Sequence, residues 1–228
     1  MKILVVDVGG THVKLQATGR RKRLSLPSGP TLTPARMVAA VKAATAGWKY
    51  QAISIGYPGP VAHGRPVAEP HNLGPGWVRY NFQKAFRRPV RIVNDAAMQA
   101  LGSYRGGRML FLGLGTGLGS ALIVDNVVAP LELAHLPYRR GHTYEEYLGL
   151  AGLKRLGKKK WLRHVDHVVE LLKTALQAEY VVLGGGNSKL IDVPPPGARL
   201  GANSNAIRGG YRLWIKHTAR SSYGRFVH

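Results

Sequence analysis

The chain has 228 residues, room for one large or two small domains, and 45% hydrophobic content excludes a disordered basic tail. It carries 33 Lys+Arg against 11 Asp+Glu, a formal charge of +22, which attracts polyanions: nucleic acid, inorganic polyphosphate or an anionic membrane surface. Its lack of cysteine excludes disulfides and thiolate zinc sites, no apolar run reaches the length of a membrane span, no signal peptide is evident, and a cytoplasmic protein is expected.

Leu4-Val5-Val6 is an apolar run ending in Asp7, followed by Gly9-Gly10-Thr11 and an alternating segment with Val13 and Leu15. This predicts strand, tight turn, strand, with the Asp at the hairpin tip. Glycines there let backbone N–H groups approach an anion, and Asp7 can hold a cation beside it; an ordinary Asp-capped turn is an equal alternative. Arg20 to Arg23 form a basic hairpin tip or loop. Thr33 to Ala46 reads as a helix, with Thr33 as N-cap and Pro34 at the first helical position. Ala52 to Ile55 is a strand entering the dense turn Gly56-Tyr57-Pro58-Gly59-Pro60. That turn and His71 to Trp77 read as loops over a cleft. Phe82 to Phe86 is a short helix. Val90 to Val93 is a strand ending at Asn94-Asp95, and Ala96 to Tyr104 is a helix that Asn94 or Asp95 would cap.

Met109 to Val124 repeats the grammar of the first segment: apolar run, glycine-rich turn (Gly113 to Gly119, with Thr116), apolar run. A dinucleotide fingerprint needs a helix after the glycines, and Walker A needs Gly-Lys-Ser/Thr; neither follows. Two such hairpins facing each other would grip a phosphate chain from both sides. A strand then leads to Glu132-Leu133-Ala134-His135. The i, i+3 pair lacks the second Glu-x-x-His of a di-iron site and further ligands for zinc. Thr143 to Leu150 is helical, with Glu145 and Glu146 as solvated acids on the plain reading. Lys154 to Lys160 is strongly basic, and Val165, Val168, Val169, Leu172 and Leu176 follow helical spacing. Tyr180 to Leu183 is a strand, Gly184 to Ser188 a turn, residues 194–205 a Pro/Gly/Asn loop, and residues 221–228 a polar, frayed end. The two hairpins imply two similarly built α/β halves. Four of the eleven acids, Asp7, Asp95, Glu132 and Glu145, fall among the candidate site residues.

In this order the segments Asp7-Val8-Gly9-Gly10-Thr11, Gly56-Tyr57-Pro58-Gly59, Asn94-Asp95-Ala96, Leu112 to Gly119, Glu132-Leu133-Ala134-His135, Thr143 to Gly149, Leu156 to Trp161 and Val182 to Asn187 resemble the ROK family of sugar kinases. Within it they are most similar to bacterial polyphosphate glucokinases, through Tyr144-Glu145-Glu146-Tyr147 and Lys158-Lys159-Lys160-Trp161. The resemblance implies an α/β, actin/hexokinase-like (ribonuclease H-like) two-domain fold. The domains expected are 1–93 plus about 208–228, and 94–207, with the active-site cleft between them. It implies transfer of a phosphoryl group from inorganic polyphosphate or ATP to the 6-hydroxyl of glucose or a related hexose, with Mg²⁺ and without zinc.

By the same resemblance Asp95 is the general base, and Asn94, Glu132, His135, Glu145 and Gly59 bind the sugar. Asp7, Gly9, Gly10, Thr11, Lys14, Gly115, Thr116, Gly117, Gly185 and Gly186 bind the donor, with Mg²⁺ at Asp7 directly or through water. Lys158, Lys159 and Lys160 are a candidate polyphosphate track, against the plain reading of a solvated helix face. A homodimer is expected, with no membrane partner and no specific nucleic acid. The competing readings are a basic nucleic-acid- or polyanion-binding protein, which lacks a recognition motif, and a non-catalytic sugar-binding protein of the same fold.

Overall fold

The computed structural model describes residues 1–202 and 204–215, and the chain forms two compact units. The first comprises Met1–Gly102 and Ala206–Trp214, the second Ser103–Asn205. The boundary therefore falls after Gly102 rather than after residue 93, so the helix that begins at Asp95 belongs to the first unit. The polar end expected at 221–228 lies outside the described residues.

Unit 1 contains β1 (Ile3–Val8), β2 (His12–Ala17), β3 (Leu24–Pro27), α1 (Pro34–Ala44), β4 (Ala52–Tyr57), the small hairpin β5 (Val61–Ala62) and β6 (Arg65–Pro66), α2 (Phe82–Phe86), β7 (Val90–Asn94) and α3 (Asp95–Ser103). Its sheet runs β3-β2-β1-β4-β7; β1 to β3 are antiparallel neighbours, and β1, β4 and β7 are parallel. Side chains of β1 alternate between faces. Leu4, Val6 and Val8 join Met37, Val38 and Val41 of α1 in one core, and Ile3 and Val5 join Met98 of α3 in another. By this period Asp7 belongs to the α3 face.

Unit 2 contains β8 (Arg108–Leu114), β9 (Leu118–Val124), β10 (Val127–Leu131), β11 (Pro137–Arg139), β12 (His142–Thr143), α4 (Tyr144–Leu148), α5 (Leu150–Ala175), β13 (Tyr180–Gly184), a 3₁₀ turn (Gly186–Leu190) and β14 (Ala198–Leu200). Its sheet order, β10-β9-β8-β13-β14, repeats that of unit 1 strand for strand: an antiparallel three-stranded meander followed by two parallel strands. Trp161, Val165, Val168 and Val169 of α5 cover Leu110, Leu112 and Leu114 of β8. Gly157, at φ 74° and ψ 157°, breaks α5 into two helical stretches, so Lys158 to Lys160 open the second stretch.

Among the described residues the last helix is α6 (Asn205–Arg212), which the Pro/Gly/Asn composition before it does not predict. It returns the chain to unit 1, where Ala206 and Ile207 complete the core around Ile3, Val5 and Met98. The buried Ser54 hydroxyl donates to the Gly210 carbonyl at 2.6 Å and accepts from Trp214 Nε1 at 2.9 Å.

Candidate active site

In each unit the candidate residues gather at the carboxyl ends of the parallel strands, where open α/β sheets bind ligands. In unit 1 the neighbours β1, β4 and β7 end at Val8, Tyr57 and Asn94. The residues just beyond are Gly9-Gly10-Thr11, Gly59 and Asp95. In unit 2, β8 and β13 end at Leu114 and Gly184, ahead of Gly115-Thr116-Gly117 and Gly185-Gly186. Ser120 of β9 is opposite both Leu112 of β8 and Leu131 of β10, so Glu132 leaves the sheet at this same edge.

Asp7 lies inside β1, opposite Lys14 of β2, and not at the hairpin tip. Gly9 serves the turn itself: its N–H donates to His12 C=O at 3.0 Å, and its C=O accepts from Ser28 Oγ at 2.6 Å. Burial raises the Asp7 carboxyl above the ordinary aspartate range, opposed by the charges of Lys14 and Arg23. Lys14 Nζ is 3.9 Å from Asp7 Oδ2, and its side chain is half exposed.

Asn94 closes β7 and starts α3. Its Oδ1 accepts from Ala97 N–H at 3.1 Å, an N-cap bond, and its Nδ2 donates to Gly59 C=O at 3.1 Å. The capping role thus belongs to Asn94. One side chain fixes the start of α3 and the Gly56–Pro60 turn together. Asp95 is half-buried in the first turn of α3, with Oδ1 2.8 Å from Ala96 N.

In unit 2 the glycine hairpin is braced from three sides. Asn187 Nδ2 donates to Gly115 C=O at 2.8 Å, and Leu150 N–H donates to the carbonyls of Gly115 and Thr116, each at 3.1 Å. Glu145 Oε2 accepts from Leu118 N–H at 3.1 Å. A Cβ on Gly117 would lie 2.1 Å from that oxygen, so this position accommodates the carboxylate only as glycine. Gly185, at φ +82°, passes so close to β8 that a Cβ would stand 2.4 Å from Leu114 O.

Glu132 and His135 are exposed in the loop after β10. Both side chains are open to solvent rather than packed in a core. The loop is tied to α4 by Glu145 N–H, which donates to Ala134 C=O at 3.0 Å. That bond places Glu145 against the segment that carries Glu132 and His135. The position of α4 is set by aromatic packing: Tyr138 stacks on Tyr144 at 4.9 Å, meets Tyr147 edge-on at 5.0 Å, and bonds His164 through its hydroxyl at 3.0 Å. Glu146 is no idle surface acid. It forms a capping box with Thr143, and the Thr143 and His142 hydrogen bonds hold its carboxyl at about 2.

Of the basic run, Lys158 pairs with Asp192 at 3.0 Å, while Lys159 and Lys160 are exposed. Arg155 lies over the Tyr147 ring at 4.8 Å and donates to Glu146 C=O at 2.8 Å. Sequence reasoning left out Ser28, Asn187 and Glu69. Asn187 carries a signal, an Asn after Gly-Gly at a strand end. Ser28 carries none, because its role depends on the β2–β3 pairing. Glu69 accepts from the N–H groups of Gly76, Trp77 and Val78, so the His71–Trp77 loop folds around the carboxylate that precedes it.

A ROK family sequence profile matches residues 3–130, more than half of the chain, and the chain belongs to the ROK family. A polyphosphate glucokinase of Mycobacterium tuberculosis (strain CDC 1551 / Oshkosh) is 28% identical over 212 residues, covering 82% of this chain and 78% of its own. The crystal structure of an inorganic polyphosphate/ATP-glucomannokinase from Arthrobacter sp. strain KM superposes with a TM-score of 0.73 at 25% identity, covering 93% of this chain and 97% of that one. A ROK family glucokinase from Streptomyces griseus, solved with glucose and AMPPNP, shares the fold at a TM-score of 0.69 and 18% identity, over 93% and 99% of the two chains. The two-sheet architecture is thus the hexokinase-like fold of these kinases.

Proposed function

We propose that the protein is a hexose kinase that transfers a phosphoryl group to the 6-hydroxyl of glucose, with inorganic polyphosphate or ATP as donor. The observation that carries this reading is the arrangement around Asn94: its amide caps α3 and fixes the Gly59 turn, so that Asp95 follows β7 at the same sheet edge as the Gly9–Thr11 turn, two strands away from it. The ROK membership and the likeness to a polyphosphate glucokinase support it.

A sugar hydroxyl is a weak nucleophile. Asp95 accepts its proton as the new P–O bond forms, a contribution of about 10²–10⁴ in rate. Asn94, Gly59, Glu132, His135 and Glu145 hold the remaining hydroxyls, and a site built to bond a hydroxyl rejects analogues that lack it. The Lys14 ammonium and those N–H groups of the two glycine hairpins that the turns do not use themselves hold the donor phosphates, with Gly185 and Gly186 beside the nucleotide when ATP serves. Most of the remaining catalysis is positioning and charge stabilisation.

The residues fit a magnesium ion. Burial penalises the Asp7 charge, and a bound cation offsets that penalty. Mg²⁺ takes one or two carboxylates and otherwise water and phosphate, so a single carboxylate suffices on the protein side. When bound, directly or through water at Asp7, the ion neutralises charge on the phosphates. Lys159 and Lys160 extend a positive track for a long polyphosphate chain, with Lys158 reaching it only by leaving Asp192.

The test is a matrix of donors (polyphosphate, ATP, GTP) against sugars (glucose, mannose, fructose, N-acetylglucosamine), read as sugar 6-phosphate. Sugar-dependent consumption of polyphosphate or ATP, greatest with glucose, is the expected result. Donor binding without sugar-dependent turnover would make the protein a polyanion binder and sink the proposal.

A further inference from the structure

Unit 1 contains a cavity of about 980 Å³ that the glycine hairpins do not line. It lies along the outer edge of β7, between the β5–β6 hairpin and the segment leading into α2. Four cationic residues line it: Arg65 of β6, Arg79 before α2, Lys84 of α2 and Arg91 of β7; His63, in the turn of the small hairpin, adds an imidazole. Arg91 is held in place over the Trp214 ring at 4.4 Å and donates to Leu213 C=O.

Among the described residues no carboxylate lines this space. The acids of unit 1 are Asp7, Glu69 and Asp95. Asp7 is in β1 and Asp95 opens α3, while Glu69 is engaged by three successive N–H groups of its own loop. The four cations come from separate segments and converge without a counter-charge from the described residues. They repel one another, and an anion relieves that repulsion. The trough also follows an edge strand, which presents peptide N–H groups along its free side.

The chemistry of the lining selects the ligand. Guanidinium forks match phosphate oxygens in pairs and remain charged at every relevant pH. A single phosphate cannot reach cations distributed along two strands, a helix and a connecting segment, and the volume is at the upper end for a small-molecule site. We propose that this cavity binds a chain of linked phosphates, a segment of polyphosphate or the triphosphate of a nucleotide, at a site separate from the two glycine hairpins. The proposal stands on the cavity and its charges, so it holds or fails independently of the kinase reading.

The experiment is calorimetric titration of the full chain with inorganic tripolyphosphate, in the unsubstituted protein and three variants. Arg65→Ser/Arg79→Ser/Lys84→Ser removes exposed cations from the cavity, and Lys22→Ser/Lys42→Ser/Lys49→Ser removes the same charge from exposed positions elsewhere in unit 1. Lys14→Ala weakens the donor hairpin. The cavity variant is expected to bind at least about tenfold more weakly, since each charge-assisted hydrogen bond is a strong one. The charge-matched control should change by only about twofold, through the screened general field. Binding should survive in Lys14→Ala, and the cavity variant should melt as the unsubstituted protein does. Parallel titrations with ATP and long-chain polyphosphate assign the source, the tighter being the natural one. Equal weakening in both triple variants, loss of binding in Lys14→Ala alone, no binding of tripolyphosphate at all, or equally tight binding of hexaglutamate would each overturn the proposal.

Discussion

Replacing Gly117 by alanine tests how firmly Glu145 is held to the second glycine hairpin. The added methyl would stand 2.1 Å from Glu145 Oε2 and 2.9 Å from its Cδ, closer than any real contact, so the carboxylate must leave. It then gives up the 3.1 Å bond from Leu118 N–H. Hydrogen bonds to charged groups contribute about 1.5–3 kcal/mol. Against this, a Gly→Ala change at a position the new residue can adopt stabilises by about 0.4–1 kcal/mol through the unfolded chain. The net loss is about 1–2 kcal/mol, or roughly 2–8 °C in melting temperature for a chain of this size. The assay is a thermal melt of Gly117→Ala alone and in a Glu145→Ala background, with the glucose KM measured on each active variant. In the Glu145→Ala background no carboxylate meets the methyl, so the same Gly117→Ala change should become neutral or stabilising. Alone it should also raise the glucose KM, because it displaces Glu145 from the proposed sugar-binding set. An equal melting shift in both backgrounds would refute the contact, and an unchanged KM in the single variant would separate Glu145 from sugar binding.

Asp95→Asn should lower kcat by about 10²–10⁴ while sugar binding persists, measured by steady-state kinetics and a glucose titration; near-normal turnover removes Asp95 from the mechanism. Asp7→Asn should raise the melting temperature at neutral pH and abolish donor-dependent turnover. The sign follows from linkage: the folded carboxyl binds its proton more tightly than the unfolded one, so Asp7 withdraws stability as pH rises from the unfolded value of 3.8 through its raised folded value. The gain should therefore vanish toward pH 3, and a variant that melts lower at neutral pH would contradict the burial argument. Gly185→Ala should cost about 2–6 kcal/mol, since it combines a backbone conformation foreign to other residues with a backbone clash at Leu114, and a melt within about 2 °C of the parent would reject that geometry.

The local elements were legible in the chain's own residues. Thr33-Pro34 fixed the start of α1, where Thr33 Oγ1 accepts from Arg36 N–H, and the two glycine-threonine turns fixed the β1–β2 and β8–β9 hairpins. Those signals are local because caps and tight turns are satisfied within a few residues of their own backbone. The order of the motifs was legible too, and with it the ROK membership. Tertiary structure decided what depends on partners far along the chain. Whether Asn94 or Asp95 capped α3 was open in the sequence, and it was settled by an amide that also reaches Gly59, 35 residues away. The tie between Glu145 and the Gly117 turn spans 27 residues to Leu118. The short strands β5, β6, β11, β12 and β14 carry too few residues for any periodicity to show. The helix α6 follows a Pro/Gly/Asn segment that reads as loop, yet its place is made by the apolar face of Ile3, Val5 and Met98, more than 100 residues earlier in the chain. Burial against such a face outweighs local propensity, and no window of sequence contains both partners.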